Sequence, residues 1–170
     1  MALRTAVDEL VSELTSIGWG QPTRLFALVS SDLLLAEEPE LASEIGAQPG
    51  TFTAIEQDGF DLTLTLPDML SRIAWPEGVL GAAIAVEQLV LPPSAEADLS
   101  TTAPAQDLAA AAAADARATS LRIVAAVTRD GLEDTVFMVE GHDDPIRGGA
   151  DERLAPRVIE SLALTFRPAN

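Results

Sequence analysis

Apolar residues open the chain at helical spacing. Leu3, Val7, Leu10, Val11, Leu14 and Ile17 recur every three or four positions in "LRTAVDELVSELTSIGWG", and Gly18 or Gly20 can supply a left-handed stop. "TRLFALVS" is short and almost wholly apolar, the pattern of a buried strand. "SSDLLLAEEPELASEIG" returns to helix, with Ser30, Ser31 or Asp32 as cap and Pro39 dividing it into two pieces. "GTFTAIEQ" reads as an edge strand, and "LPDMLSRIAWPEG" as a short helix opened at Pro67 and Asp68 that must end by Trp75, before Pro76.

The clearest strand is the eleven-residue run 81–91 in "GAAIAVEQLVLPP", apolar on both alternating faces except at Glu87 and Gln88. Such a strand belongs in the centre of a sheet, with helices over at least one side. "SLRIVAAVTRDGLEDTVFMVEG" reads as a hairpin around Asp130 and Gly131, the residue pair favoured by a tight type I′ turn. "DERLAPRVIESLALTF" closes with Leu154, Val158, Ile159, Leu162 and Phe166 at helical spacing, Asp151 as cap and Pro156 within the first turns. The order predicts one α+β domain over residues 1–170, a largely antiparallel sheet with helices packed against it. A mobile, Ala-rich excursion is expected at about 97–118, where polar linker residues and alanines offer little to anchor.

Composition narrows the function more than it names it. With 48 % hydrophobic and 22 % charged residues the chain should fold, and no apolar run or N-terminal signal calls for a membrane or export, so the expected location is cytoplasmic. Cys and Lys are absent, which removes thiol nucleophiles, thiolate metal sites, Schiff bases and phosphate-loop lysines. All ten basic residues are arginine, a bias expected of a GC-rich genome. Net charge is −17, and residues 25–71 carry nine acids and no base. That field repels phosphate backbones and anionic membranes, so neither nucleic acid nor membrane is an expected partner. It leaves a solvated acidic face, or an acidic mimic of nucleic acid.

The single histidine lies in "GHDDPIRGGADERLAP". His142, Asp143 and Asp144 are consecutive and point apart in an extended loop, no second histidine completes a zinc signature, and the spacing is not that of a calcium loop. The stretch therefore reads as a loop, without a metal or cofactor. No nucleophile turn of GxSxG type is present, and the two glycines before "ADER" open a helix whose acids oppose an anion. Trp19 and Trp75 each end a helical stretch beside Gly and Pro and read first as rings that fix a turn; the alternative is ligand stacking, in a pocket that would have Arg24 nearby in sequence.

Several separated stretches, "GWGQPTRLFALV", "AIEQDG", "IAWPEGVLGAAIAVEQLVLPP", "LRIVAAVTRDG" and "LAPRVIESLALTF", resemble an actinobacterial family of uncharacterised small soluble proteins along most of the chain. The resemblance implies a GC-rich actinobacterial source. It carries no activity, cofactor or catalytic residue onto any position.

The leading expectation is a non-enzymatic protein acting through contact with a protein partner or with itself as a homodimer. A different class competes: a small-molecule-binding protein or enzyme with a pocket near Trp75, Glu87 and Arg122. Glu87 interrupts an apolar strand, where a carboxylate needs a cation or several donors; it either pairs with Arg122 on a neighbouring strand or faces solvent on an open side of the sheet.

Overall fold

The computed structural model describes residues 2–90, 118–142, 144–148 and 155–167. The expected excursion at 97–118, but for residue 118, and the expected cap at Asp151 lie outside them. The elements follow as α1 (Ala2–Ile17), β1 (Arg24–Ser30), α2 (Ser31–Glu37), α3 (Pro39–Glu44), β2 (Phe52–Gln57), α4 (Leu66–Leu70), β3 (Val79–Val90), β4 (Thr119–Thr128), β5 (Glu133–Val139), β6 (Ile146–Arg147) and α5 (Ala155–Leu164). The fold is α+β. Six strands among the described residues form one sheet in the order β2-β1-β3-β4-β5-β6, every neighbouring pair antiparallel.

Strand alternation assigns each side chain to a face. Phe26, Leu28, Ala83, Ala85, Val124, Ala126, Val136 and Met138 meet the apolar stripe of α1, namely Leu3, Val7, Leu10, Val11 and Leu14. Leu25, Ala82, Ile84, Ile123, Ala125, Val127 and Phe137 face the other way, against Met69 and Leu70 of α4 and Val158, Ile159 and Leu162 of α5. Helices therefore cover both faces, which is why β3 and β4 read as continuous apolar runs instead of alternating ones. Ala82, Ala83, Ala125 and Ala126, all 0 % exposed at the sheet centre, let both helical layers sit close.

Local chemistry sets the boundaries. Ser30 is the cap of α2, its hydroxyl accepting from the Leu33 amide at 3.3 Å. Thr65 caps α4 by accepting from the Asp68 amide. Ser31 is fully buried and bonds the hydroxyls of Thr51 (3.0 Å) and Thr53 (2.7 Å), which ties the start of α2 to the entry of β2. Pro39 does split the helical stretch, standing first in α3.

Two expectations are corrected. A type I′ turn needs positive φ at both central residues, yet among Asp130 and Gly131 only the glycine has it, at 93°. The Gly131 amide bonds the Thr128 carbonyl and the Thr128 amide bonds the Leu132 carbonyl, so the hairpin closes through a three-residue loop with the glycine in a bulge. The histidine loop, in turn, contains β6, whose Ile146 and Arg147 pair with Phe137 and Val136.

Candidate functional site

The candidate residues fall on opposite sides of the sheet. Glu87 and Arg122 are direct cross-strand partners in β3 and β4. They share the face that α1 covers, so the open-sheet alternative for Glu87 does not apply. The Arg122 side chain is 1 % exposed and that of Glu87 15 %. Arg122 donates from Nη2 (2.6 Å) and Nε (3.2 Å) to Glu87 Oε1. Its Nη1 donates to the Leu14 carbonyl at 2.9 Å, and its Nη2 also reaches the Gly18 carbonyl. The other carboxylate oxygen of Glu87 accepts from the amides of Gly20 (3.0 Å) and Gln21 (3.2 Å).

The guanidinium lies 4.7 Å from the Trp19 ring centre. Arg122 thus takes up carbonyls that the end of α1 leaves without helical partners, at the negative end of the helix dipole. With every one of these groups engaged by the fold, the pair is a clamp holding the 18–21 turn on the sheet. Trp19 is part of that clamp, and its cation is Arg122. Arg24 instead grips Glu56 with two hydrogen bonds (2.7 and 2.6 Å) and reaches Glu13 at 3.5 Å. That grip holds the Glu56 carboxyl below its usual range, mainly through the hydrogen bond from Arg24.

Trp75 belongs to the opposite cluster. Its indole N–H donates to Thr165 Oγ1 at 2.8 Å and its ring stacks on Phe166 with centres 6.0 Å apart. It lines a cavity of about 600 Å³ together with Arg72, Arg129 and Arg167. The pocket expected to combine Trp75 with Glu87 and Arg122 is therefore divided: Trp75 has its own cleft, and the pair lies beneath α1.

His142 follows β5 and its amide bonds the Val139 carbonyl in a turn. Arg147, two residues after the proline of that loop's "DDP", links Asp8 of α1 and Asp134 of β5. Among the described residues, no three His, Asp or Glu side chains gather as a metal would require. Asp143 lies outside them. Titration calorimetry with zinc, calcium and magnesium should show no stoichiometric heat, and His142→Ala should leave the melting temperature within about 1 °C; a one-to-one site lost with that substitution would overturn the loop reading.

A further concave surface went unnoticed in the sequence. Between α1, α3 and β2 runs a groove of about 440 Å³, floored by Ala6, Leu10, Phe52 and Ala54 and walled by Leu41 and Ile45. Leu41 in α3 is 43 % and Ile45 at its C-cap 47 % exposed, although their i, i+4 spacing is that of a core stripe. The exposure arises because α3 has only six residues and lies beside β2, the last strand of the sheet. Glu9, Glu13 and Glu56 also line the groove.

No helix among the described residues is long and apolar enough to cross a membrane. Comparison with curated proteins and with solved structures finds no match. Residues 3–167 match the description "PPA1309-like protein", which spans every element described above but for the first residue of α1. The chain belongs to this uncharacterised family of PPA1309-like proteins.

Proposed function

We propose that the protein is a non-enzymatic binding protein acting through protein contact, and that the groove between α1, α3 and β2 receives a basic amphipathic helix of its partner. One observation carries the reading: an apolar groove with half-exposed Leu41 and Ile45 on its wall is framed by carboxylates and adjoins the sheet's terminal strand. An amphipathic helix docks such a groove through apolar anchors three or four residues apart, and its flanking charges set partner and register.

The charge decides between occupants. Residues 25–71 hold nine acids and no base, and Glu40 and Glu44 share α3 with the groove-lining Leu41, Ile45 being the cap of that helix. Arg24 offsets part of this at Glu56 and Glu13, leaving Glu9 and the α3 acids to meet a cation. A second copy at −17 would bring like charge to the groove. A mimic of nucleic acid would present carboxylates without needing an apolar floor. A partner with arginines or lysines flanking a leucine face satisfies both features.

The test uses isotope-labelled protein and a 16-residue Leu/Lys amphipathic peptide, with a Leu/Glu peptide as control. The Leu/Lys peptide is expected to shift the amide signals of Leu41, Ile45 and Phe52, with affinity falling as salt rises. Ile45→Asp, at an exposed position, is expected to weaken binding about tenfold or more, while the Leu/Glu peptide should not bind. Shifts confined to other surfaces would refute the proposal. So would sedimentation showing a dimer that Ile45→Asp converts to monomer, because the groove's occupant would then be a second copy.

A further inference from the structure

On the other face of the sheet, the cleft beside Trp75 concentrates positive charge in a strongly acidic protein. Among the described residues its lining holds Arg72, Arg129 and Arg167 and no Asp or Glu. Arg24, Arg122 and Arg147 all sit in ion pairs, whereas among the described residues none of these three has a carboxylate within 4 Å. Arg72 acts weakly on Asp61, whose carboxyl is held below its ordinary range chiefly by the Thr63 hydroxyl and amide, with Arg72 a smaller cause. Three cations around one concavity repel each other and gain from an anion between them.

The cleft is also partly built in advance. Arg129 donates from Nε to the Val79 carbonyl (3.2 Å) and from Nη2 to those of Pro76 (3.0 Å) and Val79 (3.1 Å), leaving Nη1 without a hydrogen bond among the described residues. Its guanidinium stands 5.0 Å from the Phe166 ring centre, and Phe166 stacks on Trp75. Thr165 fixes the indole from below. A preset cation, two further arginines at the rim and a stacked aromatic pair supply charge recognition and a flat apolar surface side by side. The volume of about 600 Å³ is that of a small-molecule site.

We infer that this cleft is a binding site for a small organic anion, a carboxylate or phosphate carried on a flat apolar body. It is separate from the groove proposed for a protein partner, since it lies across the sheet from α1. Arg72 and Arg167 meet the charged end, Arg129 holds it from a fixed position, and Trp75 with Phe166 packs against the flat body.

The protein's two tryptophans provide a direct readout, because Trp75 lies in the cleft and Trp19 on the opposite face. Phenylacetate added to labelled protein is expected to shift the Trp75 indole N–H signal saturably and leave that of Trp19 in place. Neutral phenylacetamide should bind at least tenfold more weakly, and inorganic phosphate, which lacks the ring, should bind more weakly than phenylacetate. Arg72→Gln with Arg167→Gln changes two exposed side chains and should leave the melting temperature unchanged while lowering phenylacetate affinity about tenfold or more. Three results would overturn the inference: equal binding of acid and amide, undiminished binding in the double variant, or phosphate binding as tightly as phenylacetate.

Discussion

Arg122→Ala should cost about 3–5 kcal/mol of folding stability, the range for breaking a buried ion pair by removing one partner. The substitution leaves Glu87 without its cation in a site where its side chain is only 15 % exposed. It also strips the Leu14 and Gly18 carbonyls of their donor and the Trp19 ring of its cation. In a chain of this length the loss corresponds to a fall in melting temperature on the order of 10 °C. Glu87→Ala should fall in the same range, because it leaves a guanidinium that is 1 % exposed with only the Leu14 and Gly18 carbonyls and the Trp19 ring, whereas the freed amides of Gly20 and Gln21 can turn to water. Because the two residues act as one unit, the double replacement should cost at least about 2 kcal/mol less than the sum of the singles. Urea denaturation followed by tryptophan fluorescence measures all four proteins of the cycle. Additive losses under about 1 kcal/mol each, the range of exposed pairs, would show that the clamp does not hold the end of α1 as described.

That pair was legible in the sequence because two independent signals met at it. One polar residue on an apolar strand demands a partner, and the hairpin that follows supplies an arginine at matching depth; once β3 and β4 align antiparallel, Glu87 and Arg122 fall opposite each other. The helix and strand order was legible for the same reason: periodicity, Pro39, Pro76 and the serine and threonine caps all agree locally. What escaped was whatever depends on side-chain direction outside a regular element. Trp75 sits in a connection, where no period assigns a face, and so its separation from Glu87 could be seen only with the whole sheet in place.

Length also limited the reading. Two residues, Ile146 and Arg147, are too few for a strand period, so β6 was hidden inside a loop of turn-forming residues. Around α3, Leu41 and Ile45 have the i, i+4 spacing of a core stripe, yet beside the terminal strand β2 both stay exposed. The three cleft arginines come from α4's exit, the β-hairpin and the end of α5, and no local pattern links positions that distant. Pattern reading finds what a segment buries by itself; surfaces assembled from several segments require the topology.

Gly81→Ala should destabilise the protein by about 2–3 kcal/mol, although glycine in a strand is ordinarily a weakness. At an unstrained position, Gly→Ala stabilises by about 0.4–1 kcal/mol through the unfolded chain's lost freedom, so the sign of the effect is itself diagnostic. A Cβ at Gly81 would lie 2.7 Å from the Val127 carbonyl oxygen and 3.3 Å from Leu28 Cδ1. Leu28 can turn, but the oxygen is backbone in the neighbouring central strand and moves only if β4 moves. The reason for the crowding is visible in the register: β1 pairs Leu28 with Gly81 and Val29 with Val79, so Leu80 is an extra residue that bends β3 at this point. The Leu80 carbonyl then accepts from the Arg129 amide at 2.7 Å, drawing β4 close. Gly78 is the matched control, because a Cβ there meets nothing within 4 Å and its φ is not positive. Gly78→Ala should be neutral or slightly stabilising in the same denaturation experiment. If Gly81→Ala behaved like Gly78→Ala, the close approach of β3 and β4 would not be a feature of the folded protein; a loss at position 81 alone ties the bend in β3, and with it the placement of Arg129, to the missing side chain.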